Sequence, residues 1–341
     1  MSVPSQGGPP VLEIRMKDAV GRGVPVFWGE DRSLLLHADG QITSIPRDSM
    51  ESFRLTNIAF SPATVASMRG VLQTEFGRGF QVVASGNYVV VAQGQTAEEW
   101  IRRFAELEAA FFRFFSTRGF RLITPEFPLV AIVFPNQDEF MAYAKRAKME
   151  VNVHTLGLYS PMNNRMVLFE QSNSDSISTL STILHESTHQ LAFNCGVHQR
   201  LSDIPIWTAE GLASVFESPA LLEAAERSHV ARRYNPVRFS TWQQMAKSPD
   251  KVTALLKNLI DSDSAFDVNP DSAYALAWAM TFYLAERDSD RYVAYMTHVA
   301  KRTAGVAYSP AARRRDFEKY FGSEHQLLIN NMQRFFEDNV P

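Results

Sequence analysis

Short apolar runs separated by turn residues fill the first sixty positions of the chain. The runs are rich in Val, Ile, Leu and Phe and read VLEIRM, GVPVFW, RSLLLHA and QITSIP. Asp39-Gly40 lies between the last two runs, and this dipeptide is a strong signal for a β-hairpin. The pattern predicts a small β-barrel-like module over residues 11–56, preceded by a flexible Pro/Gly tail at residues 1–10.

From about residue 60 the pattern changes to mixed helix and strand. FQVVASGNYVVVAQG predicts a hairpin that turns at Gly86-Asn87, and LVAIVF predicts a buried strand. GLYSPMNNRMVLFE predicts a second hairpin or a bent edge strand. The remainder of the chain has mostly helical spacing. Helices are predicted over residues 177–193, 208–216, 221–232, 240–245, 272–286, 289–302 and 314–337. The sequence therefore predicts an α+β fold, with a twisted sheet half followed by a helical half.

Composition and charge exclude several classes of protein. The chain has 341 residues, is 45% hydrophobic and has a net charge of -3, so a basic surface for nucleic acid is not expected. The longest apolar stretch, Ala275 to Ala285, is shorter than the roughly 20 residues of a membrane span. Without a recognisable signal peptide, the expected location is cytoplasmic, or exported if an upstream signal was lost. The single cysteine excludes an intrachain disulfide.

A short histidine motif lies inside the helix predicted over residues 177–193. The segment TILHESTHQLAF contains His185, Glu186 and His189 in the pattern H-E-x-x-H. Positions i and i+4 of a helix share one face, so both imidazoles can reach one ion. Glu186 lies beside that ion, where a carboxylate can accept a proton from water. Because so short a motif also arises by chance, a catalytic zinc site requires a third protein ligand as well.

Two known arrangements define where the third zinc ligand would lie. In the metzincin arrangement Gly and His follow the second histidine, but Ala192 and Cys195 occupy those positions. In the gluzincin arrangement a Glu lies on a second helix about 20 residues further on. Glu210 follows His189 by 21 residues, and Asn-Cys-Gly and Pro205 mark a loop between the two helices. Glu210 can therefore return beside the first helix, and it is the predicted third ligand.

Together the two segments resemble a family of metallopeptidases. HESTHQL followed by PIWTAEGLAS is similar to the gluzincin pattern HExxH followed by W-x-x-E-G-x-A. The chain resembles bacterial peptidase MA-like proteins, a domain-of-unknown-function family, and more distantly the aminopeptidase-type gluzincins. The likeness covers about residues 80–300 and implies a zincin-like metallopeptidase domain over residues 60–341. It implies that His185, His189 and Glu210 bind Zn²⁺ and that Glu186 is the general base.

The residues that follow the predicted third ligand carry two further expectations. Gly211 and Ala213 are small, which predicts a close approach of the two metal-binding helices. Ser214 lies one turn after Glu210 and is a candidate to hold an imidazole from behind, as metal-binding histidines usually require.

A tyrosine downstream of the motif is the predicted oxyanion donor. In aminopeptidase-type gluzincins a tyrosine opens a similar helix and donates its hydroxyl to the tetrahedral oxyanion, and DSAYALAWAMTFYLAE places Tyr274 at such a position. A neutral phenol can donate without competing for the metal. Tyr159 and His229 are alternatives for this role, and an ordinary aromatic of a helical core is the non-catalytic interpretation.

One departure from the family pattern bears on the substrate. Aminopeptidase-type gluzincins carry a Gly-x-Met-Glu-Asn strand that binds the free amine of the substrate, and the corresponding segment NRMVLFEQ lacks it. Glu170 is one substitute for the missing glutamate. We therefore expect an endopeptidase in which the strand Arg165 to Phe169 pairs with an extended peptide.

The N-terminal module carries a second resemblance. The segment RSLLLHADGQITSIPRDSMESFR is similar to the end of the SLA1 homology domain 1 pattern, and four or five short strands suggest an SH3-like barrel. The sequence identifies no partner for this module. One alternative function is a metal-dependent hydrolase of another bond, which the motif residues do not distinguish from a peptidase. The other alternative is a binding or scaffold protein in which the module binds a partner and the zinc is structural. Glu186 argues against that alternative, because a structural site has no use for a carboxylate there.

Overall fold

The chain folds into two compact units. The structure, a computed structural model, describes residues 8–17, 19–93, 96–170, 176–223 and 230–340. The first unit comprises Met1–Ala105 with Pro125–Glu170, and the second comprises Glu106–Thr124 with Gln171–Pro341. Two sheets lie in the first unit and most of the helices in the second, so the predicted α+β class is confirmed. The predicted domain division at residues 56–60 does not coincide with these units and stays a prediction.

The N-terminal sheet is antiparallel throughout. Its strands are β1 (Pro10–Met16), β2 (Ala19–Trp28), β3 (Arg32–Leu36), β4 (Ile42–Pro46) and β5 (Met50–Ala59). They lie in the order β4-β3-β2-β1-β5 and enclose a small core of Leu12, Ile14, Leu35 and Ile45. The predicted hairpin joins β3 to β4, and Gly40 adopts a positive φ of 83° there. The SH3-like and SLA1-like resemblances stay predictions.

The limits predicted for the module differ from the observed ones at both ends. Strand β1 begins at Pro10, within the predicted tail, and β5 continues to Ala59, so the predicted end at residue 56 falls inside a strand. Strand β5 is an edge strand whose side chains are almost all exposed, and its mixed polar and apolar residues therefore do not show the alternation of a half-buried strand.

The second sheet contains five strands of mixed direction. They are β6 (Phe80–Ser85), β7 (Tyr88–Gln93), β8 (Leu129–Phe134), β9 (Gly157–Ser160) and β10 (Arg165–Phe169), in the order β6-β7-β8-β10-β9. Both predicted hairpins are present. Helices α1 (Val65–Phe76) and α3 (Gln137–Arg146) cover one face. On α2 (Ala97–Ser116), Phe104 stacks on Tyr88 of β7 at 5.4 Å between ring centroids.

The position of β10 corrects the predicted mode of peptide binding. Strand β10 is parallel to β8 on one side and antiparallel to β9 on the other, so both of its hydrogen-bonding edges are occupied. The prediction that an extended peptide pairs with Arg165–Phe169 is therefore wrong, and β9 is the edge strand on this side. The apolar run of β10 reflects burial of all of its side chains.

The second unit is helical and is organised around one buried helix. Its helices are α4 (Ser176–Asn194), α5 (Ile206–Phe216), α6 (Pro236–Met245), α7 (Pro249–Asp261), α8 (Ala265–Val268), α9 (Pro270–Arg287), α10 (Ser289–Ala300), α11 (Pro310–Phe321) and α12 (His325–Asp338). Helix α9 is buried along most of its length. A Cβ at Gly211 of α5 would lie 2.5 Å from the carbonyl oxygen of Ala277 on α9. Gly211 therefore allows α5 to approach α9, and its predicted role between α4 and α5 is wrong.

Two of the predicted helices differ from the structure, and the short helix α8 was not predicted. Helix α7 was also not predicted, and the helix predicted over residues 314–337 is divided at Gly322, where φ is 84°. In the described part of residues 221–232 only short 3₁₀ turns occur. No helix among the described residues is long and apolar enough to cross a lipid bilayer.

Candidate metal centre

Helix α4 presents two histidines from adjacent turns. His185 and His189 are one turn apart, and their ring centroids are separated by 4.7 Å. The Nε2 atoms of the two rings lie 3.1 Å from each other. The fully buried neighbours Leu184 and Leu191 fix the orientation of the helix in the core. The motif thus lies on a helix, as predicted, with both imidazoles directed to one point.

A tight loop brings the third group to the same point. Gly196 takes a positive φ of 85° after α4, and α5 begins after Pro205. Glu210, on the second turn of α5, places Oε2 3.1 Å from Nε2 of His185 and Oε1 3.5 Å from Nε2 of His189. The three predicted ligands therefore form one cluster, the ligand triad, among the residues that the structure describes.

The donor set of the ligand triad fits a zinc ion. A tetrahedral zinc ion with bonds of about 2.0–2.1 Å keeps its ligand atoms about 3.3–3.4 Å apart, close to the 3.1–3.5 Å observed. The Oε2 atom of Glu210 is buried without a hydrogen-bond donor in the described part of the chain. Two imidazoles and one carboxylate are also a ligand set that catalytic zinc sites use.

The electrostatics of the ligand triad favour a positive charge. Burial alone would lower the pKa of His185, but the neighbouring carboxylates of Glu210 and Glu217 raise it well above its ordinary value. Burial would raise the pKa of Glu210, yet His189 and His185 lower it. A proton or a metal cation can supply the charge that these groups stabilise, so metal binding here would displace a proton.

A carboxylate that the sequence did not reveal supports His185 from behind. Glu217, the residue directly after α5, accepts a hydrogen bond from Nδ1 of His185 at 2.8 Å. In the neutral ring this leaves a lone pair on Nε2, directed at the ligand triad. Asn235 donates to the other oxygen of Glu217 at 2.5 Å, and the guanidinium of Arg238 lies 3.8 Å away. Together with His185, Asn235 and Arg238 lower the pKa of Glu217 despite its burial.

The predicted supporting role of Ser214 is wrong. Its hydroxyl is buried and has no hydrogen-bond partner among the described residues, so it holds neither imidazole. Glu217 performs that role instead. The signal in the sequence is the spacing of Glu210 and Glu217, which are seven residues apart in EGLASVFE and so lie on one face of α5.

Tyr274 and Glu186 border the ligand triad. Tyr274, near the start of α9, packs edge-on against Phe266 at 5.2 Å. Burial first, and then Glu210, raise the pKa of Tyr274, so its hydroxyl stays neutral and able to donate. Glu186 follows His185 directly on α4 and is half-buried, and its charge raises the pKa of both His185 and Tyr274.

The other residues considered for the site are Tyr159, His229, Glu170 and Cys195. The hydroxyl of Tyr159 is engaged by Asn164 within the β9–β10 hairpin, at 2.8 Å. His229 lies outside the described residues. The carboxylate of Glu170 accepts a hydrogen bond from the indole of Trp100 at 3.1 Å. Cys195 is buried and belongs to the end of α4, where its N–H bonds the Leu191 carbonyl.

Comparisons with known proteins give one family match and several similar structures. A family model described as "Protein of unknown function (DUF1570)" matches residues 179–304, the stretch that contains the ligand triad, Glu186 and Tyr274. No curated protein matches the chain.

Three of the similar structures are mutants of M1 zinc metallopeptidases, each 14% identical to this chain. One, from Deinococcus radiodurans and bound to a Tyr-Ser-Ala substrate, has a TM-score of 0.38. A two-domain M1 zinc metallopeptidase bound to L-arginine has a TM-score of 0.35, and a further Deinococcus radiodurans structure has 0.34. Each match covers 74% of this chain and 50 or 51% of the other, so the chain spans about half the length of these proteins.

Proposed function

We propose that the protein is a zinc-dependent hydrolase, and that it is an endopeptidase. The observation that carries the proposal is the ligand triad, whose two imidazole nitrogens and one carboxylate meet within 3.5 Å of one another. Glu186 and Tyr274 lie beside it with the chemistry that hydrolysis of a carbonyl compound requires.

His185, His189 and Glu210 would hold the zinc ion. A zinc ion bound there would polarise the carbonyl of a substrate and make water more acidic. The hydrogen bond from His185 to Glu217 fixes the ring so that Nε2, rather than Nδ1, is the ligand atom. Asn235 holds Glu217 in turn, so the orientation of His185 depends on a chain of buried contacts.

Glu186 and Tyr274 would divide the proton transfer and the charge stabilisation between them. Glu186 accepts a proton from the attacking water and passes it to the nitrogen of the leaving amine. Tyr274, which remains protonated because its pKa is raised, donates its hydroxyl to the oxygen that becomes negative as water adds to the carbonyl.

Partial exposure of the centre supports catalysis over a purely structural zinc. His185 and Glu210 keep 14% and 17% of their side-chain surface exposed, and Glu186 and Tyr274 are half-buried. A structural zinc site is closed by four protein ligands, whereas a catalytic site keeps one position for water or substrate. The ligand triad offers three protein ligands among the described residues.

The endopeptidase assignment rests on the segment that follows Asn164. An aminopeptidase needs a carboxylate that receives the free amine, and NRMVLFEQ lacks the Gly-x-Met-Glu-Asn strand. Glu170 already accepts a hydrogen bond from Trp100, which makes it a less suitable replacement. We therefore expect cleavage of internal peptide bonds.

The test combines metal analysis with a peptide-library digest. Protein purified without chelator should contain about one zinc per chain and cleave internal bonds. The variant Glu186→Gln should keep the zinc and lose on the order of 10²-fold or more in turnover, because it removes the general base. Glu223→Gln, at an exposed glutamate, is the matched control. Absence of zinc uptake would refute the site, and full activity of Glu186→Gln would refute the mechanism.

A further inference from the structure

An arginine lies beside the candidate metal centre with part of its hydrogen-bonding capacity unused. Arg238, on the first turn of α6, places its guanidinium carbon 4.8 Å from the centre of the Tyr274 ring. Its side chain is 21% exposed. The guanidinium of Arg238 therefore packs against the ring of Tyr274 and lies 3.8 Å from Glu217, the carboxylate that accepts a hydrogen bond from His185 of the ligand triad.

The neighbouring carboxylate of Glu217 does not accept a hydrogen bond from this guanidinium. Glu217 lies 3.8 Å from Nη2 of Arg238, beyond hydrogen-bond distance, and its two oxygens already accept from His185 and Asn235. The Nε atom of Arg238 is buried and has no hydrogen-bond partner in the described part of the chain. Five residues earlier, Arg233 forms two hydrogen bonds to Glu286, at 2.9 and 2.7 Å, and is fully engaged by that carboxylate.

The charges around the centre indicate which kind of substrate group Arg238 would favour. Glu186, Glu210 and Glu217 are carboxylates, and they repel an anionic group that approaches the centre. A guanidinium offers a planar fork of donors that matches a carboxylate. Arg238 is placed to offset that repulsion and to hold such a group close to the reacting carbonyl.

We propose that Arg238 binds a carboxylate of the substrate, so that the protein prefers peptides with a carboxylate next to the scissile bond. This inference rests on the proposed hydrolase function. The carboxylate has two possible sources: the side chain of an Asp or Glu near the cleaved bond, or the C-terminal carboxylate of a short peptide. Tyr274 stays the oxyanion donor, and Arg238 determines specificity through binding.

The experiment measures kcat and KM on matched peptide pairs with the zinc-loaded protein. One pair differs as Glu against Gln beside the scissile bond, and the other as a free C-terminal acid against the amide. Wild-type protein should prefer the acid member of one pair by roughly ten- to hundred-fold, mainly through KM, because a hydrogen bond to a charged group is lost in the other member. The pair that shows the preference identifies the source of the carboxylate.

Variants of Arg238 decide whether this residue causes the preference. Arg238→Gln should abolish the preference, measured as the ratio of kcat/KM between the two members of a pair so that a change common to both members cancels, and Arg238→Lys should retain part of it. Arg315→Gln, at an arginine whose side chain is 72% exposed, should behave as wild type. Equal cleavage of both members by wild type would overturn the inference, as would an unchanged preference in Arg238→Gln, and in either case the hydrolase proposal would stand.

A binding measurement separates failure of the inference from failure of the proposed function. Calorimetry with the Glu186→Gln variant and the same pairs reports the preference without any turnover. If zinc-loaded wild type cleaves no peptide, the proposed function fails, and the calorimetric preference and its loss in Glu186→Gln/Arg238→Gln still test Arg238. Absence of any acid preference in binding overturns the inference whether or not the variants at Arg238 fold.

Discussion

Two buried polar clusters of the helical unit differ in how their charges are balanced. In the arginine clamp, Arg313 lies 3.0 Å from Asp203 and 2.9 Å from Asp263, and its Nε donates to the Tyr308 carbonyl at 3.1 Å. Opposite charges therefore face each other. In the ligand triad, two imidazole nitrogens and a carboxylate face one another at 3.1–3.5 Å. The carboxylate of Glu210 is an acceptor, and so is Nε2 of a neutral His185, because its Nδ1 donates to Glu217.

The difference separates a structural cluster from a candidate functional one. Both clusters bury polar groups, which is costly unless each group finds a partner. The arginine clamp finds its partners within the chain, and Asp263 also accepts the N–H of Ile206, where α5 begins. The ligand triad reaches the same balance when a proton or a metal cation is added. The unbalanced charge of the ligand triad, rather than the burial of its polar groups, is the feature that identifies the candidate site.

The largest effect, a loss of turnover, is expected from substitution of Tyr274, which should leave both the ligand triad and the arginine clamp intact. Tyr274→Phe removes one hydroxyl and almost no volume, so zinc content and the free energy of unfolding should stay near wild type. Turnover should fall by about 10²–10³, the cost of one lost oxyanion donor. Peptide-cleavage kinetics with Tyr283→Phe, on the same helix, as control provide the measurement. Unchanged turnover would return Tyr274 to the role of a core aromatic.

Substitution in the arginine clamp should lower stability and leave zinc binding unchanged. Arg313→Met should lower the free energy of unfolding by about 3 kcal/mol, the lower end of the cost of breaking a buried ion pair, because the two aspartates are partly exposed. Folded protein should still bind one zinc per chain. Urea unfolding followed by circular dichroism measures this, with Arg315→Met as the exposed control. Loss of zinc from a fully folded variant would contradict the separation of the two clusters.

A moderate effect on zinc affinity is expected at Glu217, which supports His185 of the ligand triad. Glu217→Gln keeps the shape of the side chain but weakens the hydrogen bond that orients His185, so zinc affinity should fall by about 10- to 100-fold. Competition with a chelator of known affinity measures the change. Glu324→Gln, at an exposed glutamate before α12, should leave zinc affinity as it is. An unchanged affinity in Glu217→Gln would mean that His185 is held by packing alone.

The parts of the site that the sequence could predict are the local ones. His185 and His189 follow from helical spacing, and Glu210 follows from a short loop that returns a second helix beside the first. Asn235 and Arg238 could not be predicted, because their approach to Glu217 depends on the path of the chain between α5 and α6. The bond from His185 to Glu217 likewise joins positions 32 residues apart.

The same distinction applies to the fold. The strand at Leu129–Phe134 and the β9–β10 hairpin were predicted from contiguous patterns and are confirmed. Asn136 caps α3 by accepting the N–H of Glu139, as its position before that helix suggests. The inner position of β10 was missed, because an apolar run does not specify which strands lie on its two sides. Strand order depends on contacts between segments that are distant in the sequence.

The smallest effect is expected at Ser214, which tests whether burial near the centre is by itself enough to support a metal ligand. Its hydroxyl is buried without a partner among the described residues, while its carbonyl accepts from Asn235 at 3.2 Å. Ser214→Ala keeps the carbonyl and removes a hydroxyl whose burial without a partner costs about 1–3 kcal/mol. Zinc affinity should change by less than about twofold, and the free energy of unfolding should stay equal or rise slightly, since alanine also favours the helix. Chelator competition and urea unfolding, run beside Glu217→Gln, give both quantities. A tenfold loss of zinc affinity in Ser214→Ala would show that the Ser214 hydroxyl does orient a ligand. It would contradict the conclusion that charge imbalance, rather than burial, identifies the site.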